Sequence, residues 1–367
     1  MDLSIRKKSS AASLLENRAQ FCSLIAHKLQ PSLDWRDPTL VRDSSTLAPA
    51  IWNALSDETR QTYGDALVPF EAASLLNGER NAEIKVQLSR VVAALNRAGI
   101  EPLLIKGASH ILTDLWPDPS ARLVADIDML IRPDQIETAV TVLEDLAGLR
   151  LKERLDPGFV PFSKHLAPIV GAGGVAPIEI HHSIYRKKFG AIAPPDEIWD
   201  RAQVINVDRN RAWILSPTDQ VLVALMHGFA GSGTYIAPSM HLRDWLDIHF
   251  LAERHRSDIN WAWIERHLTH IGWGSALEIA NGCFELLVDM SPPFTQGTIR
   301  ARLDAARWIW QVKHPKSIRV TQNLSRISHA IESVKEGGAS RQRALRYMAD
   351  PATYARAMKR LFKPTHR

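Results

Sequence analysis

Leu123-Val124-Ala125-Asp126-Ile127-Asp128-Met129-Leu130-Ile131 is an apolar run broken only by two aspartates that flank an isoleucine. Successive side chains on a strand point to opposite faces. Asp126 and Asp128 therefore share a face, about 7 Å apart at strand rise, while Ile127 points into the core. Two carboxylates on one face repel each other and resist desolvation. A divalent cation removes that conflict and gives the pattern a purpose. The triplet alone arises often by chance, so its neighbours carry the case.

Upstream, Pro102-Leu103-Leu104-Ile105-Lys106-Gly107 is a compact apolar strand entering a turn, and Ala108 to Trp116 is a short helix stopped by Pro117 and Pro119. The run Lys106-Gly107-Ala108-Ser109 reads as a phosphate-cradling turn. Glycine lets the backbone approach an anion, the next helix offers N–H groups, Ser109 adds a hydroxyl and Lys106 a charge. Taken alone, Lys106-Gly107 reads better as an ordinary strand-to-helix turn. Arg122 supplies a charge to neutralise a triphosphate, or pairs with a surface carboxylate. Downstream, a helix is expected from about 134 to 147, closed by Gly148.

Glu179 sits between Ile178 and Ile180 and alternates against a buried face as the aspartates do. If its strand pairs beside the aspartate strand, three carboxylates converge. Such oxygen ligands suit a pair of Mg2+ ions, with Mn2+ as a substitute, bound jointly with substrate phosphates. His181 shares the Glu179 face and can reach a phosphate or an attacking hydroxyl. His182 faces the other way, so the two histidines cannot chelate one zinc ion together.

Away from this centre, residues 1–80 read as helical segments broken by Pro31, Pro38, Pro49 and Pro69, without visible chemistry. Ile84, Leu88, Val91, Val92 and Leu95 recur at helical spacing, with Gly99 as the stop. His165 to Val170 and Val175 to His182 form a hairpin across Gly171-Ala172-Gly173-Gly174. After Pro194-Pro195 helical spacing dominates, in Gln220 to Phe229, His241 to Leu251, Trp261 to His270 and Ala276 to Val288.

The 367 residues are 45% hydrophobic, enough for two or three units with a sizeable core. No apolar run approaches a membrane span, and no leader-like segment follows Arg6-Lys7-Lys8. Cys22 and Cys283 are far apart, which argues against a disulfide scaffold or zinc site and for a cytoplasmic protein. The net charge of +5 is uneven: residues 311–367 hold 13 Lys and Arg against Glu332, Glu336 and Asp350. Such a segment attracts an anionic partner or is simply a solvated face.

Taken together, Ile105-Lys106-Gly107-Ala108, Trp116-Pro117-Asp118-Pro119 to Arg122, Asp126-Ile127-Asp128 and Ile178-Glu179-Ile180-His181 resemble the uncharacterised nucleotidyltransferase family of the DNA polymerase β-like superfamily. The resemblance covers about 84–255. It implies an α+β fold, with a small mixed-sheet core at 83–195, N-terminal helical segments at 1–82 and a mainly helical domain with a basic tail at 196–367. It also implies Asp126, Asp128 and Glu179 as catalytic metal carboxylates and Gly107 as the turn glycine; with the residue readings above, Lys106, Gly107, Ala108, Ser109, Arg122 and His181 are expected around a nucleotide such as ATP. His227, Arg243 and Asp247 match a helical segment of the family; Asp244 and Asp247 also suit ordinary helix pairing. The Gly107-Ala108 turn departs from the usual Gly-Ser or Gly-Gly and removes one hydroxyl from the phosphates. The expected reaction is nucleotidyl transfer to a hydroxyl-bearing acceptor of open identity: peptide or protein, small molecule or RNA. The alternatives are a catalytically inactive fold that binds a nucleotide or partner, and a glycosyltransferase using the aspartate pair.

Overall fold

The computed structural model describes residues 47–146, 149–151, 164–171, 174–232 and 242–287, with scattered positions between 291 and 306. The basic tail and the first 46 positions, with Pro31 and Pro38, lie outside the described residues.

Helix α1 (Ala48–Ala54) leads into α2 (Asp57–Arg97), a helix of 41 residues. Ser56 caps α2 by accepting from the Thr59 amide at 3.2 Å. The helix kinks at Gly64 (φ 25°), just before Pro69, whose ring removes one hydrogen bond of the ladder. Its stripe of Ile84, Leu88, Val91, Val92 and Leu95 is fully buried, and Gly99 at φ +76° ends it.

The remaining elements are β1 (Leu103–Leu104), α3 (Gly107–Leu112), β2 (Ile127–Leu130), α4 (Ile136–Asp145), β3 (Leu149–Leu151), β4 (Ile169–Gly171), β5 (Ile178–His181), α5 (Pro195–Arg201), β6 (Gln203–Val207), β7 (Asn210–Ile214), α6 (Pro217–Ser232), α7 (Leu242–Arg254), α8 (Trp261–His270) and α9 (Gly274–Leu287). The described strands form one mixed sheet in the order β3-β4-β5-β2-β1-β7-β6. Pairs β2–β5 and β1–β7 are parallel and the others antiparallel. The fold is α+β, as the resemblance implies.

The hairpin β6–β7 was not expected, because 196 onwards reads as helical. Yet Gln203-Val204-Ile205-Asn206-Val207 alternates, and Asp208 takes the positive φ (54°) of its tight turn. The sheet thus draws strands from beyond 195, and α2 runs through position 82.

Strand alternation divides the core. Leu104, Ile127, Met129, Ile178 and Ile180 pack with the α2 stripe. Leu103, Ile105 and Leu130 pack with the helices after β7, through residues such as Phe229, Leu251 and Phe284. Asp128 shares its face with Leu130. The carboxylates therefore look toward the C-terminal helices, away from α2. No described helix is long and apolar enough to cross a membrane.

Candidate active site

Parallel pairing of β2 and β5 sets Asp128 opposite Glu179 and Leu130 opposite His181. Asp128 is 1% exposed and His181 fully buried. Asp128 Oδ1 accepts from Lys106 Nζ at 2.8 Å and lies 2.7 Å from His181 Nε2. Glu179 Oε2 lies 3.6 Å from His181 Nε2 and 3.6 Å from His165 Nε2. Asp128, Glu179 and His181 each present a ligand atom within 4.8 Å of the others, so together they can hold a metal ion. Asp126, just before β2 and half-buried, lies beside this cluster and lines the same pocket of about 270 Å³.

The two aspartates differ electrostatically. Burial works against the Asp128 carboxylate, but Lys106 and His181 outweigh it and hold its carboxyl well below the usual range. At Asp126, burial and the Asp128 charge raise the carboxyl above its ordinary value, and Lys106 offsets only part of this. Burial also opposes the Glu179 carboxylate, yet His181 and His165 leave it slightly favoured. Lys106 is raised because Asp128 outweighs its burial.

The turn before α3 is built differently from a glycine turn. Lys106 itself carries the positive φ, 53°. Gly107 has another role: a methyl group there would stand 2.6 Å from Arg122 Nη1 and 3.2 Å from Val124 Cγ1. Only glycine lets the guanidinium lie against this backbone. Ala108 and Ser109 face inward and are fully buried. The Ser109 hydroxyl donates to Lys106 O at 2.9 Å, tying the turn together.

Arg122 does not extend into the pocket as a lone charge. Its Nε and Nη2 donate to Asp247 Oδ1 and Oδ2 at 2.8 and 2.7 Å. Asp247, on α7, also accepts from Trp116 Nε1 at 2.7 Å and lies 3.3 Å from His110 Nδ1. Despite burial, Arg122 and His110 hold the Asp247 carboxyl far below the usual range.

From the other side, α2 fixes the segment that feeds β2. Asn81 Nδ2 donates to Pro119 O and Arg122 O at 2.8 and 2.9 Å. Asn77 donates to Arg122 O at 3.1 Å, and Arg80 donates to the carbonyls of Val124 and Ala125. These contacts fall in a stretch whose sequence shows no chemistry; polar residues interrupting a buried helical stripe are their only trace.

The helical layer completes the pocket. His227 Nδ1 lies 2.7 Å from Asp244 Oδ2, and Arg243 Nη1 donates to Leu123 O at 3.1 Å. All three line the cavity with the carboxylates, as do Lys164 and His165. The last two were not anticipated. They precede β4 and are drawn in by a bridge between His165 and His181 and by the His182 amide donating to Lys164 O at 3.1 Å. Burial and the neighbouring Lys106 push the Lys164 ammonium down to about 8. Burial likewise lowers the His165 imidazole.

The mixed sheet thus turns its paired acidic strands toward a polar pocket. Residues 31–289 match the uncharacterised nucleotidyltransferase family, and the chain belongs to that family. No curated protein matches the chain, and no solved structure matches it.

Proposed function

We propose that the protein is a Mg2+-dependent nucleotidyltransferase that moves a nucleoside monophosphate from a nucleoside triphosphate to a hydroxyl-bearing acceptor. The observation that carries this reading is the register of Asp128 against Glu179, on the face that opens to the pocket, in a chain of this family. The donor set fits a divalent cation: Asp128, Glu179 and the half-buried Asp126 offer hard oxygens, and the His181 nitrogen also suits Mn2+. Bound there, the metal supplies charge that neutralises the triphosphate and the departing pyrophosphate.

In this reading the chain's residues prepare an in-line displacement. Lys106 and His181 keep Asp128 ionised and fixed. Glu179 takes the proton from the acceptor hydroxyl as its oxygen bonds to the α-phosphorus. The bond from that phosphorus to the β-phosphate oxygen breaks, and pyrophosphate leaves. The Asp247–Arg122–Gly107 stack keeps the Lys106 turn in place. The basic segment 311–367 draws in an anionic acceptor, and the protein works in the cytoplasm.

Incubation with each labelled triphosphate, Mg2+ or Mn2+, and a panel of peptide, small-molecule and RNA acceptors tests the proposal. Labelled acceptor with stoichiometric pyrophosphate is expected. Asp128 already has Lys106 and His181 on one oxygen, which favours a second reading, nucleotide binding without turnover. Triphosphate binding with no pyrophosphate across the panel would select it.

A further inference from the structure

Four lysine and arginine side chains line the pocket: Lys106, Arg122, Lys164 and Arg243. Two are already engaged by carboxylates, Lys106 by Asp128 at 2.8 Å and Arg122 by Asp247 at 2.7 Å. An anion entering the pocket gains little from charges that are neutralised internally. Among the described residues no carboxylate lies within ion-pair distance of Lys164 or Arg243. Arg243 uses Nη1 on a backbone carbonyl, while its buried Nε has no hydrogen-bond partner. Unmet buried donors are costly and uncommon. Lys164 lines the pocket together with Lys106, Asp128 and Glu179; burial and Lys106 work against its charge more than the two carboxylates favour it, and an added anion would shift that balance.

We propose that Lys164, tied to the end of β5, and Arg243, on α7, are the cations that grip the polyphosphate of the substrate. This assignment rests on the nucleotidyltransferase reading and names its phosphate contacts. Lys106 and Arg122 then serve to shape the site: one holds Asp128, the other the turn at Gly107. The assignment also gives the two layers a shared task. Lys164 is anchored to the end of β5 through its carbonyl, and Arg243 lies in the first turn of α7. Polyphosphate binding therefore clamps the sheet to the C-terminal helices, at a point the Arg122–Asp247 pair already joins.

Calorimetric titration of the full chain with α,β-methylene analogues of the four ribonucleoside triphosphates, with the matching monophosphates and with inorganic tripolyphosphate tests this. Lys164→Gln and Arg243→Gln should each weaken triphosphate and tripolyphosphate binding by about tenfold or more, the scale of one charge-assisted hydrogen bond. Monophosphate affinity should change less than about twofold, and Lys164→Arg and Arg243→Lys should restore part of the loss. Variants with native circular dichroism that bind polyphosphate as the wild type does would overturn the assignment. If a variant fails to fold, acetylation of Lys164 in the wild-type protein, mapped by mass spectrometry, decides: protection by tripolyphosphate supports the grip, and none refutes it. Binding of tripolyphosphate without any nucleoside triphosphate would sink the nucleotidyltransferase reading and leave the cation pair standing. Absence of both sinks the two together.

Discussion

Arg122 and Asp247 meet edge to edge, Nε on Oδ1 at 2.8 Å and Nη2 on Oδ2 at 2.7 Å, although 125 positions separate them in the chain. Both are buried, and the contact fastens the segment entering β2 to helix α7. The geometry of the carboxylate strand thus depends on a helix that contributes no strand to the sheet.

Removing one partner of this pair should be severe. Asp247→Ala leaves a buried guanidinium without its counter-charge and should cost about 3–5 kcal/mol, read as a lower urea midpoint. The depressed Asp247 carboxyl contributes stability that is fully present above the unfolded-state value of about 4 and is lost as pH falls through the folded value. The gap between wild type and Asp247→Asn should therefore narrow below about pH 4. A gap that stays constant down to strongly acid pH would contradict the coupling.

Gly107→Ala forces the Arg122 guanidinium to move, because the added methyl lies 2.6 Å from Nη1. Overpacking of this kind should cost about 1–3 kcal/mol. Combined with Asp247→Ala the two losses should not add, with a coupling of about 0.5 kcal/mol or more. Strict additivity in a denaturation cycle would show that glycine and ion pair are independent.

The two aspartates should respond to amidation with opposite signs in chelator. Asp128 is held ionised by Lys106 and His181, so Asp128→Asn should destabilise at neutral pH. Asp126 has a raised carboxyl, so its charge disfavours the folded state once pH exceeds the unfolded value. Asp126→Asn should then raise the melting temperature slightly without metal and reduce the further rise that Mg2+ or Mn2+ brings. Equal destabilisation by both substitutions would refute this asymmetry.

Replacing Arg356, Lys359, Arg360 and Lys363 with glutamine should raise the acceptor's KM and flatten its salt dependence, with triphosphate binding unchanged. An unaltered salt slope would mean that the segment is only a solvated face.

The site was partly legible from local pattern. Period-two alternation put Asp126 and Asp128 on one face and Glu179 on another apolar strand, and the sheet register joins Asp128 to Glu179. Helical spacing located α8 at its observed bounds, Trp261 to His270. What local pattern cannot carry is pairing over distance. Nothing near Arg122 signals that its charge is answered from α7. Nothing near Lys164 signals a place in the pocket, since that place follows from distant strand contacts, the His165–His181 bridge and the His182 amide bonded to Lys164 O. Asn77, Arg80 and Asn81 are the same case: their partners are backbone carbonyls, which any residue type at 119–125 would present.

Because α2 holds that segment by side chains on successive turns, the sheet is not a portable module. A chain cut to begin at residue 83 would retain every acidic side chain of the pocket and still lose the splint that presents them. Trimming, circular permutation or fusion should not be tolerated within α2, nor within α1, whose Ala50 and Ile51 are buried in the core, so the practical boundary for engineering this protein lies upstream of Leu47.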